Sequence, residues 1–437
     1  NKASINSKSV KKNNIFFAIK GKKNNGNKFV EQAIQKKASI TVVNKIQKKL
    51  PINKQARSIN PLGLLTEIAK IYRKNISTNI IAITGSCGKT SLKELLGNTL
   101  NKMSKTTISP KSYNNKYGVP LSLFNINQND DYGVLEIGMD KKGEIDQLSK
   151  IIQPDISVIT NINYAHAKNF KNIKHIALAK AEIIGNTKSN GFIVLNGDDD
   201  FYKLHENIAY QNNLKVVSFS VNNKNSNVRL IKIQRLGRNF RINIKIKNLN
   251  KFFIINNDFQ SNIYNILAAL AVMSIYIDVV ELDKNIFLKF ETPSGRGDFS
   301  RVKIDNKNIF LIDESYNSNP LSFKSAIFNY NKIKPKKSKK YLLIGDMLEL
   351  GQHSEKLHKS IVPIINQAEV DKVFVKGNKI KSIFGKLLRS KQGRILLNET
   401  QILEFIRNDL NNNDYLMVKA SNATGFNKIV NNLKGQN

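Results

Sequence analysis

The stretch with the clearest chemical character is Thr84-Gly85-Ser86-Cys87-Gly88-Lys89-Thr90-Ser91, a glycine-punctuated turn ending in a lysine and two hydroxyls. Gly85 and Gly88 let the backbone approach a phosphate, Lys89 supplies charge for its terminal oxygens, and the Thr90 hydroxyl suits a Mg2+ ion. Ile83 stands where the longer GxxxxGK[ST] pattern has its first glycine, so the loop is the shorter GxxGKT form. A lysine roughly 4 Å from a phosphate charge is worth about 4 kcal/mol at a protein-surface dielectric. Cys87 fits a small loop residue better than a nucleophile, because no histidine lies close in sequence. Three more side chains have chemistry to offer. Glu136 ends the apolar run Val134-Leu135-Glu136, as a strand-end surface acid or as an oxygen ligand for Mg2+. His166 follows Ser157-Val158-Ile159-Thr160, and its spacing alone does not make it a ligand. Lys180, within Ile176 to Ile184, has the place of a solvent-facing lysine on an amphipathic helix, with Glu182 nearby, and periodicity does not distinguish that from a functional role.

Such residues need rigid carriers. Ile80-Ile81-Ala82-Ile83 has the character of a buried strand leading into the loop, and Leu92, Leu95, Leu96, Thr99 and Leu100 fall on one face of a helix leaving it. That helix would offer free N–H groups and a positive dipole end to an anion. Upstream, a strand at Ile15 to Ile19, a turn over 21–27, a helical stretch from Phe29 to Ala38 and a strand at Ile40 to Val43 make a small α/β unit. Downstream of Thr292-Pro293-Ser294-Gly295, strands are expected at Tyr341 to Ile344, Val373 to Val375, Ile395 to Leu397 and Tyr415 to Val418. Helical patterns such as Ser360 to Ile365 fill the gaps, and Lys332 to Lys340 reads as a solvated loop. Strands separated by helix-length segments imply right-handed crossovers and mostly parallel sheets. The expectation is an α/β chain of three domains: a small N-terminal unit at 1–76, a central P-loop-type domain at 77–294, and a Rossmann-like C-terminal domain at 295–437.

Composition bounds the rest. The 437 residues are 41% hydrophobic, enough for buried cores, and the balance of 70 Lys+Arg against 33 Asp+Glu gives a net charge of +37. The lysines are scattered amid asparagine and isoleucine rather than gathered in a tail or stripe, which favours compositional drift over a nucleic-acid footprint. One cysteine excludes an internal disulfide and a thiolate zinc cluster and fits a reducing compartment. No apolar run approaches the roughly 20 residues that span a bilayer, and Asn1-Lys2-Ala3-Ser4 begins no signal-peptide core. A cytoplasmic protein is expected, truncated at its start because no Met opens it.

Taken in order, the motifs resemble those of the Mur ligase family over nearly the whole chain. TGSCGKTS at 84–91 resembles the family's ATP loop, followed by SYNNKYGVPLSL at 112–123, LEIGMDKKGEI at 135–145 and ALAKAEII at 177–184. SGRGD at 294–298, DESYNSNP at 313–320 and GDMLELG at 345–351 complete the series, and the last two resemble the members that attach D-alanyl-D-alanine. No DNPR-like motif of the diaminopimelate-adding members occurs. The resemblance implies that Gly85, Ser86, Cys87, Gly88, Lys89, Thr90 and Ser91 hold ATP phosphate, with Thr90 on one Mg2+ and Glu136 and His166 on a second. It implies a carbamylated Lys180, Asn262 and Asn265 facing adenine, and Arg296 and Asp313 reaching nucleotide phosphate and ribose. Ser7, Asn114, Asn115, Tyr316, Asn317 and Asn319 are assigned to the nucleotide-sugar substrate. The chain departs from the family where Asn6 and Lys8 flank Ser7 in place of a DSR motif, where Phe259-Gln260-Ser261 replaces Gly-x-His, and where Lys419-Ala420-Ser421-Asn422 replaces a KGSR-like run.

The implied reaction is ATP-driven amide formation between a UDP-N-acetylmuramoyl-tripeptide and D-alanyl-D-alanine through an acyl phosphate. ATP and two Mg2+ ions are the expected cofactors, and a monomer with no nucleic-acid partner and no membrane insertion is expected. Closure of the third domain over the second, hinged near Glu291 to Arg296, would exclude water. Two alternatives stand beside it: a P-loop ATPase acting on nucleic acid, which lacks an aromatic RNA-binding motif or basic tail here, and a sibling amide ligase.

Overall fold

The computed structural model describes residues 2–21 and 24–435. The turn expected over 21–27 includes Lys22 and Lys23, which lie outside the described residues, as does Asn1. Three sheets follow one another along the chain. The first is parallel, in the order β1 (Ala3–Ser4), β2 (Ile15–Phe17), β3 (Ile40–Val43), β4 (Gln55–Arg57). The helix Pro61–Lys74 then joins it to the central body. Arg73, almost fully buried, donates from Nη2 to Asp155 Oδ2 at 2.7 Å and from Nε to the Ile152 carbonyl at 2.7 Å, while Asp155 Oδ2 also accepts from the Ile80 amide. One acid thus ties the helix to the first strand of the next sheet.

That second sheet has nine strands: β5 (Asn79–Thr84), β6 (Thr106–Ile108), β7 (Tyr132–Glu136), β8 (Ile156–Ile159), β9 (Phe192–Asn196), β10 (Lys215–Ser220), β11 (Val228–Leu236), β12 (Asn239–Ile246) and β13 (Leu249–Ile255). They lie in the order β13-β12-β11-β10-β9-β8-β5-β7-β6. Strands β5 to β11 run parallel; β12 and β13 pair antiparallel. The third sheet runs β14 (Asp298–Ile304), β15 (Lys307–Glu314), β19 (Tyr415–Lys419), β16 (Lys340–Gly345), β17 (Lys372–Lys376), β18 (Gln392–Ile395), parallel except for the β14–β15 hairpin. The expected α/β class with mostly parallel sheets is what the structure shows.

Chain order in the second sheet reverses at β5, which has β7 on one side and β8 on the other. Crevices for ligands open at the carboxyl ends of parallel strands at such a reversal. The helix Lys89–Leu100 that follows β5 buries Leu92, Leu95, Leu96 and Leu100 against β5, β7 and the helix Gln260–Met273. Each buried leucine is worth about 2 kcal/mol, so the loop between strand and helix is held from both ends.

Two local expectations differ. The strand placed at Ile395 to Leu397 is Gln392–Ile395, because Asn398 already accepts from the Gln401 amide as the cap of the helix Glu399–Asp409 and turns the chain away. Lys340, placed in a solvated run, is buried: its Nζ donates to the Tyr330 carbonyl at 2.7 Å and the Ile333 carbonyl at 3.0 Å, closing the end of the helix Pro320–Asn331.

His205 gives the central body a pH dependence. It is buried on the helix Tyr202–Gln211 with Nε2 3.1 Å from the Ala177 carbonyl, and burial, against the opposing pull of that carbonyl, brings its pKa down to about 4. The unfolded chain titrates near 6.5 and takes up the proton first, so stability is level above about pH 6.5 and falls as pH drops toward 4. The loss should approach about 3 kcal/mol. Glutamine at 205 keeps an N–H for Ala177 but does not titrate, so urea midpoints of His205→Gln should change less between pH 7 and pH 4.5; identical changes in both proteins would refute the assignment.

Candidate active site

The loop after β5 turns on Gly85, whose φ is +141° and where a Cβ would fall 1.9 Å from Thr160 Oγ1. Only glycine lets the loop lie this close to the end of β8. The Ser86 amide donates to the Asn161 carbonyl at 2.9 Å, the Cys87 amide to Asn161 Oδ1 at 2.9 Å, and Thr160 Oγ1 to the Cys87 carbonyl at 2.6 Å. Braced in this way, the loop presents the first turn of the Lys89–Leu100 helix, whose leading N–H groups have no partner within the helix, to open space.

That space is a cavity of about 730 Å3, within the range of small-molecule sites. One wall is Ser86 to Ser91 with Asn114, Glu136 and His166; the facing wall is Arg296, Glu314, Tyr316, Asn317, Glu349 and Lys419, from the unit built on the third sheet. Glu314 and Lys419 end β15 and β19, so both large sheets aim the carboxyl ends of their strands into one crevice. Two contacts pin the walls together: Tyr316 Oη donates to Ser112 Oγ at 3.0 Å, and Asn319 Nδ2 to Cys87 Sγ at 3.1 Å.

Glu136 is buried at the end of β7. Its Oε2 accepts from Thr90 Oγ1 at 2.8 Å and its Oε1 from Asn114 Nδ2 at 2.7 Å, while Thr90 Oγ1 lies 3.4 Å from Ser112 Oγ. Carboxylate and hydroxyl oxygens gathered with no sulfur ligand suit a hard cation such as Mg2+. Lys89 Nζ donates to the Gly85 carbonyl at 2.8 Å, and Lys180 Nζ donates to the same oxygen at 3.0 Å. Burial lowers the pKa of both amines; the charge of Lys89 drives Lys180 down further, well below an ordinary lysine. Lys180 is therefore not the solvent-facing residue its helix suggested: it is buried behind the phosphate loop. Asn265 lies against Gly88, and Asn262, 4% exposed, leaves Oδ1 without a partner at the cavity wall.

Other expected residues lie elsewhere. Asp313 does not face the cavity: its Oδ1 accepts from the Ser315 amide and hydroxyl and its Oδ2 from Lys434 Nζ at 2.9 Å, so it anchors the end of the last helix. Strand alternation sends its neighbour Glu314 into the cavity instead. Asn115 accepts from the Tyr117 and Gly118 amides at 3.0 and 3.1 Å and starts the helix Gly118–Phe124, leaving Asn114 alone at the wall. Asn319 caps the helix Pro320–Asn331. Ser7 is buried in the first unit, donating to Gln32 Oε1 at 2.6 Å, away from the cavity.

Several wall residues carried no sequence expectation. Asp199 Oδ2 accepts from the Ile162 amide at 2.7 Å, Asp198 Oδ2 from Tyr264 Oη at 2.8 Å, and Lys419 Nζ pairs with Glu314 at 3.2 Å. Burial raises the Glu314 pKa, against the opposing pull of Lys419. An acid run at 198–200 in so basic a chain was the available signal. Glu349 lies on the opposite wall from the loop, its pKa lowered first by contact with His166.

Comparisons with known proteins agree with this layout. Residues 83–273 match the Mur ligase middle domain and residues 299–422 the Mur ligase glutamate ligase domain. A UDP-N-acetylmuramoyl-tripeptide--D-alanyl-D-alanine ligase of Buchnera aphidicola is 32% identical over 99% of this chain and 93% of its own length; that of Rickettsia prowazekii is 30% identical over 98% and 94%. Among solved structures, MurF from Acinetobacter baumannii superposes with a TM-score of 0.85 over 99% of this chain and 93% of its own, at 23% identity. The MurF ligase from Thermotoga maritima in complex with ADP gives 0.81 over 100% and 97%, also at 23%, a likeness of fold. With both domain models in sequence order on either side of the cavity, and relatives matched almost end to end, the chain belongs to the Mur ligase family.

Proposed function

We infer that the protein is an ATP-dependent amide ligase that joins D-alanyl-D-alanine to a UDP-N-acetylmuramoyl-tripeptide for peptidoglycan precursor synthesis. The observation that carries this reading is a cavity walled on one side by a phosphate loop and on the other by the strand ends of the third sheet. The terminal carboxylate of the tripeptide attacks the γ-phosphate to give an acyl phosphate and ADP; the dipeptide amine then attacks the acyl carbon and phosphate leaves. Lys89 and the first-turn N–H groups hold the triphosphate, which lowers its repulsion of the incoming carboxylate. Asn262 Oδ1 is an open acceptor for an adenine N–H, and Arg296, stacked 4.3 Å from the Tyr316 ring, adds positive charge at the junction. Thr90, Glu136 and His166 would hold Mg2+, which when bound neutralises charge between ATP and carboxylate. The Tyr316–Ser112 and Asn319–Cys87 contacts hold the two walls together, which narrows the access of water to an intermediate that would hydrolyse in the open.

In this reading residues 1–76 bind the UDP substrate, 77–294 form the ATPase domain and 295–437 bring the amine, in a cytoplasmic monomer. Among the described residues no helix is long and apolar enough to cross a membrane. The test is phosphate release with ATP, Mg2+, UDP-muramoyl tripeptide and D-alanyl-D-alanine, omitting each in turn. Release only with the full set is expected; equal release without the nucleotide-sugar peptide or without the dipeptide refutes the assignment.

A further inference from the structure

The run Gly345 to Gly351 leaves the end of β16 and contains no residue used in the reaction above, yet it makes a dense set of contacts in two directions. Toward its own sheet, Asp346 Oδ1 accepts from the Ile380 amide at 2.7 Å, the Met347 amide donates to His358 Nε2 at 3.1 Å, and the Leu348 amide to Ser421 Oγ at 2.9 Å. Toward the central body, the Lys168 amide donates to the Glu349 carbonyl at 2.9 Å. Gly351 approaches so closely that a Cβ there would fall 2.5 Å from Lys168 Cα. Two residues further, His353 Nε2 lies 2.9 Å from the Phe170 carbonyl. The run is a rigid tip docked onto the loop that carries His166.

At its centre, Glu349 Oε2 lies 2.5 Å from His166 Nδ1. Asp140 Oδ1 is 3.7 Å from the same nitrogen and pairs with Lys168 at 3.2 Å. The three side chains could be read as a cation cluster. However, 2.5 Å is shorter than the separation of about 3 Å between adjacent ligands of an octahedral Mg2+, so the histidine–glutamate contact is direct, although the ring is angled so that Nδ1 has no aligned hydrogen-bond partner. His166 also sits at φ +55°, a left-handed conformation uncommon outside glycine and sustained only where the surroundings impose it. Histidines that bind metals through one ring nitrogen commonly donate the other N–H to a carboxylate, which fixes ring and tautomer.

We propose that Glu349 is a positioning residue: a small turn of the imidazole aims Nδ1–H at the adjacent Glu349 Oε2 and leaves Nε2 as the ligating nitrogen, so that docking of the third-sheet unit completes the metal site. This rests on His166 being a metal ligand. It gives the 345–351 motif a function: the metal site is ready only when the amine-delivering unit is in place.

The test uses Mn2+ as the probe, titrated by electron paramagnetic resonance into the full-length protein with ADP present, alongside 15N spectra of the histidine ring nitrogens. Glu349→Gln, near-isosteric, should weaken the Mn2+ that His166→Ala loses by roughly 10–100-fold and convert His166 from the Nδ1–H form to a tautomer mixture. Glu349→Asp should restore part of both. Unchanged Mn2+ affinity and tautomer in Glu349→Gln, with His166→Ala still weakened, overturns the proposal alone. If His166→Ala itself binds Mn2+ normally, the metal-ligand reading fails instead, and the tautomer measurement still decides whether Glu349 holds the ring.

Discussion

Replacing Lys89 with alanine should reduce ADP formation by roughly a thousandfold while leaving the fold intact. The magnitude follows from one cation about 4 Å from a phosphate charge, worth about 4 kcal/mol, at 1.36 kcal/mol per decade of rate. Folding should tolerate the change, because the Lys89 amine is held by one backbone carbonyl and burial disfavours its charge by more than Glu136 and Cys87 favour it. Removing a cation that the folded protein accommodates at a cost does not destabilise it. The effect belongs on the catalytic step, since the γ-phosphate carries more charge to be stabilised as it transfers than when it merely binds. Arginine at 89 should rescue little, because a planar fork does not fit where a point charge meets a loop carbonyl. Single-turnover ADP release checks both variants, and a Lys89→Ala rate within tenfold of the parent would remove Lys89 from the reaction.

The phosphate loop is legible because its chemistry is written locally: strand, glycine spacing, lysine and helix occupy the twenty-one consecutive positions 80–100. The parallel sheets were legible for a similar reason, from apolar runs separated by helix-length segments. What escaped depends on distant pairing. Asp313 and Glu314 are adjacent acids, and only the side of β15 that faces the cleft decides which one serves the site. Asn115 looked as polar as Asn114 until the helix at Gly118 claimed it. The burial of Lys180 is not legible because the alanines of its helix define no face by size; Ile176, Ala177, Ala179, Lys180 and Ala181 are all buried together. The β11–β13 meander was missed although Arg241 to Ile246 alternates apolar and polar residues, the period-2 signal of a half-buried strand. Glu349 stood in a motif recognised without a role, because its partner His166 lies on another sheet's loop.

The second large effect concerns Lys180. Two amines donating to one carbonyl, Gly85 O, place like charges side by side in a buried setting. Burial and the charge of Lys89 both lower the Lys180 pKa, which favours its neutral form. A neutral buried amine is a nucleophile, and addition to CO2 yields a carbamate with loss of one proton, turning a repelled amine into an anion paired with Lys89. The expected result is a 13C carbamate resonance after incubation with labelled bicarbonate, absent from Lys180→Ala. That variant should lose roughly 10–100-fold in turnover, the range for groups that support a metal site from behind, and short carboxylic acids should restore part of it. A merely structural lysine predicts the reverse: no labelled carbon, a lowered melting temperature and no response to added acid. The two accounts also part at depleted CO2, where degassed protein of a carbamylated enzyme should slow and recover on adding bicarbonate, while a structural lysine leaves the rate unchanged.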